Sequence, residues 1–337
     1  MPRGFSSPVL YRNDGDGRFE DVTRTSGLEN PRGKGLGVAA FDYDLDGWLD
    51  LAVANDTQPN NLYHNRGDGT FEDIGVLSGI AFAENGAARG AMGIDATDYD
   101  ASGRQSLIIG NFSNEMVSLY HNEGRGFFID NAPISELGRR SLLTLTFGAF
   151  FFDYDLDGRQ DIFLANGHVE NDIQNVQKRV SYAQPPHLFH NEGEGGFREV
   201  TEEMGEAFSR PIVGRGTAYG DIDGDGDLDL AVSTSGGPAL LFRNDGGSNS
   251  HWIGFRPQGT KSNPEGIGAW IRVHASGRTE SRMVKSATGY CSQNQLPVIV
   301  GLGSAERVER VEIDWPSGVK QILPSPEIDT VHDVVER

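Results

Sequence analysis

A nine-residue acidic loop occurs three times in this chain, each time running straight into a short apolar stretch. The copies are Asp42-Tyr-Asp-Leu-Asp-Gly-Trp-Leu-Asp50, Asp153-Tyr-Asp-Leu-Asp-Gly-Arg-Gln-Asp161 and Asp221-Ile-Asp-Gly-Asp-Gly-Asp-Leu-Asp229. Carboxylates fall at positions 1, 3, 5 and 9 of each loop. They are Asp42, Asp44, Asp46 and Asp50, then Asp153, Asp155, Asp157 and Asp161, then Asp221, Asp223, Asp225 and Asp229. Position 7, held by Trp48, Arg159 and Asp227, offers a backbone carbonyl. Calcium takes six to eight hard oxygens on a flexible loop, and this spacing supplies them. A worn copy at Asp98, Asp100 and Ser102, ending at Ser106, reads as a degenerate fourth site. The expectation is calcium at about three full sites.

An EF-hand shares the opening of this loop but needs a bidentate Glu at position 12 and a helix on each side. Position 12 is Val53, Leu164 or Val232, and the text that follows is strand-like: LDLAVAN, QDIFLAN and LDLAVST. These loops therefore join β-strands.

A second repeat lies between the loops. Strand, Gly-rich turn and strand can be read at Val9 to Leu28, and the same text returns at Asn61, Ser118 and His187, with a shortened form at Leu240. The turn residues Asn13, Asn65, Asn122, Asn191 and Asn244 are spaced by 52, 57, 69 and 53 residues. Four strands in a period of 50-odd residues is the signature of a β-propeller. The reading is all-β. A half blade at 9–28 is followed by units at about 35–79, 91–137, 147–208 and 216–245, then a change of text at 251. Strand one of each unit is crowded with small residues (GVAAF, GIDAT, GAFFF, GTAYG), which suits the cramped position next to a propeller axis. The ring is incomplete by this count. Either its two ends pair or upstream blades are missing, and a short ring strains blade packing, which favours the second. An open ring exposes strand edges and an apolar blade face.

These units resemble the FG-GAP or VCBS repeats of integrin-α-type propellers, whose loops of this form bind calcium. The hairpins that carry Phe19, Phe71, Phe127 and Phe197 are similar to those of the cartilage acidic protein group. The match covers about residues 9–250. Residues 251–325 resemble an ASPIC/UnbV domain in the text HWIGFR, GIGAWIRV, GYCSQN, GLG at 301–303 and VEIDWPSG, with 326–337 read as a tail. That resemblance implies a small β-rich domain after the propeller. Cys291 is expected there as a small buried hydrophobe.

Much of the net charge of −20 is local to the loops, whose positions 1, 3, 5 and 9 hold twelve of the 49 acidic residues. Nucleic acid is excluded as a partner, because its binders carry basic faces. No run of eighteen apolar residues is present, so no membrane span is expected. One cysteine forbids an intrachain disulfide. Met1 to Phe5 lacks the apolar core of a signal peptide, so the chain reads as a piece of a longer secreted protein or one with a misplaced start.

Candidate ligand contacts are His168, Glu170 and Asp172 in the long insert at 166–186, because long loops on rigid scaffolds carry function. Lys34, Arg89 and Arg215 each precede a Gly at the entry to strand one, and either ring a channel mouth or pair with loop carboxylates. His64, His121 and His190 share one repeat position with Arg12 and Arg243 and read as architectural. No nucleophile motif, zinc motif or P-loop is present. The favoured reading is extracellular or periplasmic recognition of a protein or glycan, since millimolar external calcium suits such loops. The alternatives are a calcium-dependent carbohydrate-active propeller enzyme and an accessory protein of a secondary-metabolite, enediyne-type pathway. Oligomeric state is not readable from the chain.

Overall fold

The computed structural model describes residues 8–246 and 250–337. The chain opens with a hairpin of β1 (Tyr11–Asn13) and β2 (Phe19–Asp21). Three four-stranded antiparallel blades follow. The first holds β3 (Gly35–Phe41), β4 (Asp50–Asn55), β5 (Asn61–Asn65) and β6 (Phe71–Asp73). The second holds β7 (Ile94–Thr97), β8 (Ser106–Ile109), β9 (Ser118–Gly124) and β10 (Phe127–Asp130). The third holds β11 (Thr146–Phe152), β12 (Asp161–Asn166), β13 (His187–Gly193) and β14 (Gly196–Glu199). A three-stranded blade of β15 (Gly214–Gly220), β16 (Asp229–Thr234) and β17 (Leu240–Phe242) ends the propeller.

Alternation along each strand packs the blades. In β8, Leu107 and Ile109 join the core shared with the first blade, while Ile108 joins the core shared with the third. In β12, Ile162 and Leu164 face the second blade, and Phe163 and Ala165 face the last. Burial on both faces explains the continuous apolar runs after each acidic loop. Each fully buried Leu or Phe contributes roughly 1.5–3 kcal/mol.

The glycines of strand one set how closely the inner strands approach. A Cβ on Gly37 would lie 2.4 Å from the Met92 carbonyl oxygen, and one on Gly93 would lie 2.1 Å from that of Phe147. Gly148 meets Thr217 at 2.3 Å in the same sense. Small residues here answer to the neighbouring blade as well as to the axis.

Hairpin β1–β2 and the last blade lie in separate sheets, so among the described residues the two ends do not close the ring by pairing. Pro8, Val9, Leu10, Leu28, Leu36 and Val38 line an open groove of about 610 Å³ beside the first blade. Most of the side chains lining it are apolar.

The remaining strands form two sheets. They are β18 (His251–Gln258), β19 (Trp270–Ala275), β20 (Arg278–Met283), β21 (Val298–Gly303), β22 (Arg310–Asp314), β23 (Lys320–Pro324) and β24 (Val331–Val335). Their orders are β21-β18-β24 and β20-β19-β22-β23. Ile271 and Val273 point into the core between them, with Phe255, Val311 and Ile313.

The segment 326–337 is more than a tail. Strand β24 runs parallel to β18 from Gly254↔Val331 to Gln258↔Val335. Just beyond it, buried Glu336 accepts backbone N–H groups from Thr260, Lys261 and Ser262 at 2.8, 2.7 and 2.8 Å and the Ser317 hydroxyl. Desolvation opposes its charge, but the Ser262 amide, the Ser317 hydroxyl and the amides of Lys261 and Thr260 win and hold the carboxyl down at about 2. A lowered carboxyl pKa stabilises above the unfolded value of 4.5 and is lost as pH falls toward about 2. Glu336→Gln should therefore lower the unfolding midpoint at neutral pH. The gap to the parent should close in acid; a gap independent of pH would contradict the carboxylate's role.

Residues 284–297 form a finger that enters the propeller axis. Its descending side lies on β7: Lys285 pairs with Asp95 and donates to the Ala96 carbonyl, and Gly289 exchanges amide hydrogen bonds with Ile94. At the tip, Tyr290 packs edge-on against Phe147, with ring centroids 4.9 Å apart. The returning side lies on β15: Ser292, Asn294 and Gln295 side chains accept the N–H groups of Thr217, Tyr219 and Asp221. The text GYCSQN is this tip. Cys291 is consequently exposed, with φ of 48°, and is not the buried hydrophobe expected. The chain must reverse there, so its side chain is turned away from the packed walls.

Candidate metal centres

Each loop is built around its first and ninth residues. The position-1 carboxylate accepts the position-6 N–H: Asp42 from Gly47, Asp98 from Gly103, Asp153 from Gly158 and Asp221 from Gly226, at 2.8–3.0 Å. The position-9 carboxylate accepts the position-2 N–H, in the pairs Asp50–Tyr43, Asp161–Tyr154 and Asp229–Ile222. Its other oxygen accepts the N–H of the turn Asn on strand three: Asn65, Asn191 and Asn244, each at 2.8 Å. The position-7 N–H of Trp48, Arg159 and Asp227 donates to the position-5 carboxylate of Asp46, Asp157 and Asp225. Within each full loop these bonds tie position 1 to 6, 2 to 9 and 5 to 7.

Three acid sets result, each with ligand oxygens within 4.8 Å of one another: Asp42–Asp44–Asp50, Asp153–Asp155–Asp157 and Asp221–Asp223–Asp225. They fit a hard divalent cation. Asp153 is 1% exposed, and its Oδ1 has no hydrogen-bond partner. A buried carboxylate oxygen without a partner, facing two further acids, is satisfied by a cation and by little else. Burial raises Asp50 to about 6 and Asp161 to about 7, and it lifts Asp153 well above the usual range with help from Asp161.

The worn loop keeps the fold and loses the acid set. Ser106 stands at position 9 and its hydroxyl accepts the Asn122 N–H at 3.0 Å. No such acid set forms there among the described residues. Asp100 instead meets His121 Nε2 at 2.8 Å. The third acid is lost with Ser102 and Ser106, which stand at positions 5 and 9.

Two features escaped the sequence reading. The turn asparagines clasp neighbouring blades: the Nδ2 groups of Asn122, Asn191 and Asn244 donate to the carbonyls of Tyr43, Tyr99 and Tyr154, each in the preceding loop, at 2.8–2.9 Å. Only the return of this Asn in the same hairpin text after every loop could have hinted at it. The basic residue before each Asn leans on its own loop. His64 Nδ1 is 3.3 Å from Asp50, His190 Nδ1 is 3.3 Å from Asp155 and Asp161, and Arg243 is 3.9 Å from Asp223. The alternation of His with Arg was the available signal.

The proposed contact residues do not converge. His168 is 1% exposed, its Nδ1 accepts the Glu170 N–H, and its ring meets Phe112 edge-on. Burial lowers its pKa. Glu170 and Asp172 point to solvent. Arg89 pairs with Asp130 at 2.8 Å, and Arg215 donates to the Gly167 and His168 carbonyls while lying over Phe147. Lys34 donates to Thr57. Each of the three cations has a local partner, and of these only that of Arg89, Asp130, is a carboxylate.

Comparison with known proteins agrees with this architecture. The FG-GAP-like repeat family profile matches residues 3–53, 42–109 and 153–232, and the ASPIC and UnbV profile matches 259–337. Cartilage acidic protein 1 of Xenopus tropicalis is 25% identical over 326 residues, which is 94% of this chain and 47% of that protein. The Mus musculus protein of that name is 26% identical over 235 residues, 64% of this chain and 34% of its own length. The chain therefore spans about half or less of these curated relatives. A solved structure concerning recognition of non-reducing terminal N-acetylglucosamine by an Agrocybe aegerita lectin is similar at a TM-score of 0.44 and 16% identity, covering 97% of this chain and 88% of that one.

Proposed function

We propose, since this chain belongs to the FG-GAP-like repeat family and closes with an ASPIC and UnbV domain, that it is a calcium-stabilised recognition or adhesion protein working outside the cytoplasm. It binds a protein or glycan through loops on one propeller face. The relatives named cartilage acidic protein 1 support an extracellular setting of this kind. Among the described residues no helix is long and apolar enough to cross a membrane.

One observation carries the choice of face. The second domain occupies the metal-loop end, where Trp252 packs on Gly226 and Arg282 donates to the Gly158 carbonyl. The opposite end carries the connections between strands two and three. The longest of these, between β12 and β13, presents Val169, Glu170, Asp172 and Val176 outward, with Val176 80% exposed. Exposed apolar and acidic side chains on a loop held by a rigid scaffold make a recognition surface. Calcium fixes the loops of the other end, so its effect on binding is indirect.

Glycan and extracellular-protein arrays probed in calcium should give a ligand class, and V169D/V176D should weaken its capture about tenfold or more, as loss of central apolar contacts does. Capture unchanged by this pair would move recognition away from the β12–β13 connection.

A further inference from the structure

The three acid sets are not equivalent: the second domain touches the loop 221–229 through Trp252 and Gln295, but it covers only the loop 153–161 so fully that no residue there is exposed. In the loop 42–50, Asp44 and Asp46 are exposed; in 221–229, so are Asp223 and Asp225. The loop 153–161 has no exposed residue. Strands β20 and β21 close over it. Three successive carbonyls, at Leu156, Asp157 and Gly158, accept from the Gly303 N–H at 2.8 Å, from Arg278 at 3.1 Å and from Arg282 at 2.7 Å. The Gly301 N–H donates to Asp153 Oδ2 at 3.2 Å. A Cβ on Gly301 would sit 2.4 Å from that same oxygen and 2.4 Å from the Leu156 backbone, so glycine is required for the approach.

We propose that the second domain is the lid of the third metal site, and that the ion and the domain hold each other in place. This rests on the calcium reading of the loops. Asp153 carries the argument. Its Oδ2 is committed to Gly158 on one side and Gly301 on the other, and its buried Oδ1 has no partner. The lid thus orients one carboxylate oxygen and leaves the other for a cation. Without a bound ion, buried Asp153 and Asp161 and half-buried Asp155 and Asp157 repel one another beneath the lid, with Arg159 paired to Asp157 and His190 beside Asp155 and Asp161 as the nearest offsetting groups. Spreading of the loop would displace the three carbonyls that seat the lid. Coupling of this kind is reciprocal: whatever factor the lid adds to ion affinity, the ion adds to docking.

The test uses the full chain loaded with calcium-45 and mixed with excess chelator, with hydrogen exchange followed at the Gly301 and Gly303 amides. One ion in three should leave at least about tenfold more slowly than the others, because its release requires local opening of the lid. Arg278→Ala should accelerate that phase and spare the fast ones. Gly301→Ala should do the same more strongly. Asp155→Asn should raise exchange at both amides in the presence of calcium. A single fast phase, or amide protection unaffected by chelation while ions bind, would overturn the lid. If no ion binds at all, the calcium reading falls and takes the lid with it.

Discussion

Truncating Lys285 to alanine should destabilise the protein by about 3–5 kcal/mol, the usual cost of leaving one member of a buried ion pair uncompensated. Asp95 is 2% exposed on the innermost strand of the second blade. Its carboxylate also accepts the N–H groups of Ala96 and Phe151. The ammonium reaches it from the finger, so one substitution strips the buried charge and loosens the finger together. Burial already raises the Asp95 carboxyl above its ordinary 3.8, with Lys285 opposing. Removing Lys285 raises it further. A carboxyl raised in the folded state favours that state when protonated, and the benefit is lost as pH rises through the folded value. The deficit of Lys285→Ala should thus be larger at neutral pH than in acid. Urea unfolding of parent and variant across that range reads it. D95N/K285M, which removes both charges, should recover most of the loss. A deficit that neither depends on pH nor responds to the double variant would assign the effect to finger packing alone.

Chelation should act on three sites at once. An ion bound only by the folded state stabilises by about 2.7 kcal/mol per site at a hundredfold excess over its Kd. Removal should therefore lower the melting temperature markedly and in a calcium-dependent way. The pH dependence of the stripped protein is a sharper readout. Asp50 at about 6 and Asp161 at about 7 are raised by burial. Their protonated forms suit the empty loops, and that benefit disappears as pH rises through about 6 to 7. The stripped protein should melt lower at pH 8 than at pH 5. The calcium-loaded protein should not follow, since the ion requires the ionised ligands. Parallel curves with and without chelator would remove the metal from the account of stability.

Much of this architecture is legible in the chain because it is local and repeated. The nine-residue loop places its own position-1 carboxylate over its own position-6 amide, a contact that needs no distant residue. The strand that follows reads as apolar because both its faces are buried. The half blade, the three full blades and the truncated last one can all be counted from the turn asparagines. Even the worn loop was visible as worn, since Ser106 replaces an acid that two N–H groups and a cation would share.

Contacts that join distant positions were not legible. Asn122 reads as a turn residue, and its side chain binds a loop 79 positions earlier. His168 reads as a candidate contact on a long loop, yet the fold turns it inward against Phe112. The GLG of 301–303 marks a domain by resemblance, but no spacing rule could reveal that its first glycine lies against Asp153. The physical reason is range. Spacing reports what a few consecutive residues can do with their own backbone, and ligand loops and strands are made at that scale. Which acid set is sealed, where the axis is filled and which face is left open depend on how two separately patterned units pack, and only the tertiary structure decides that.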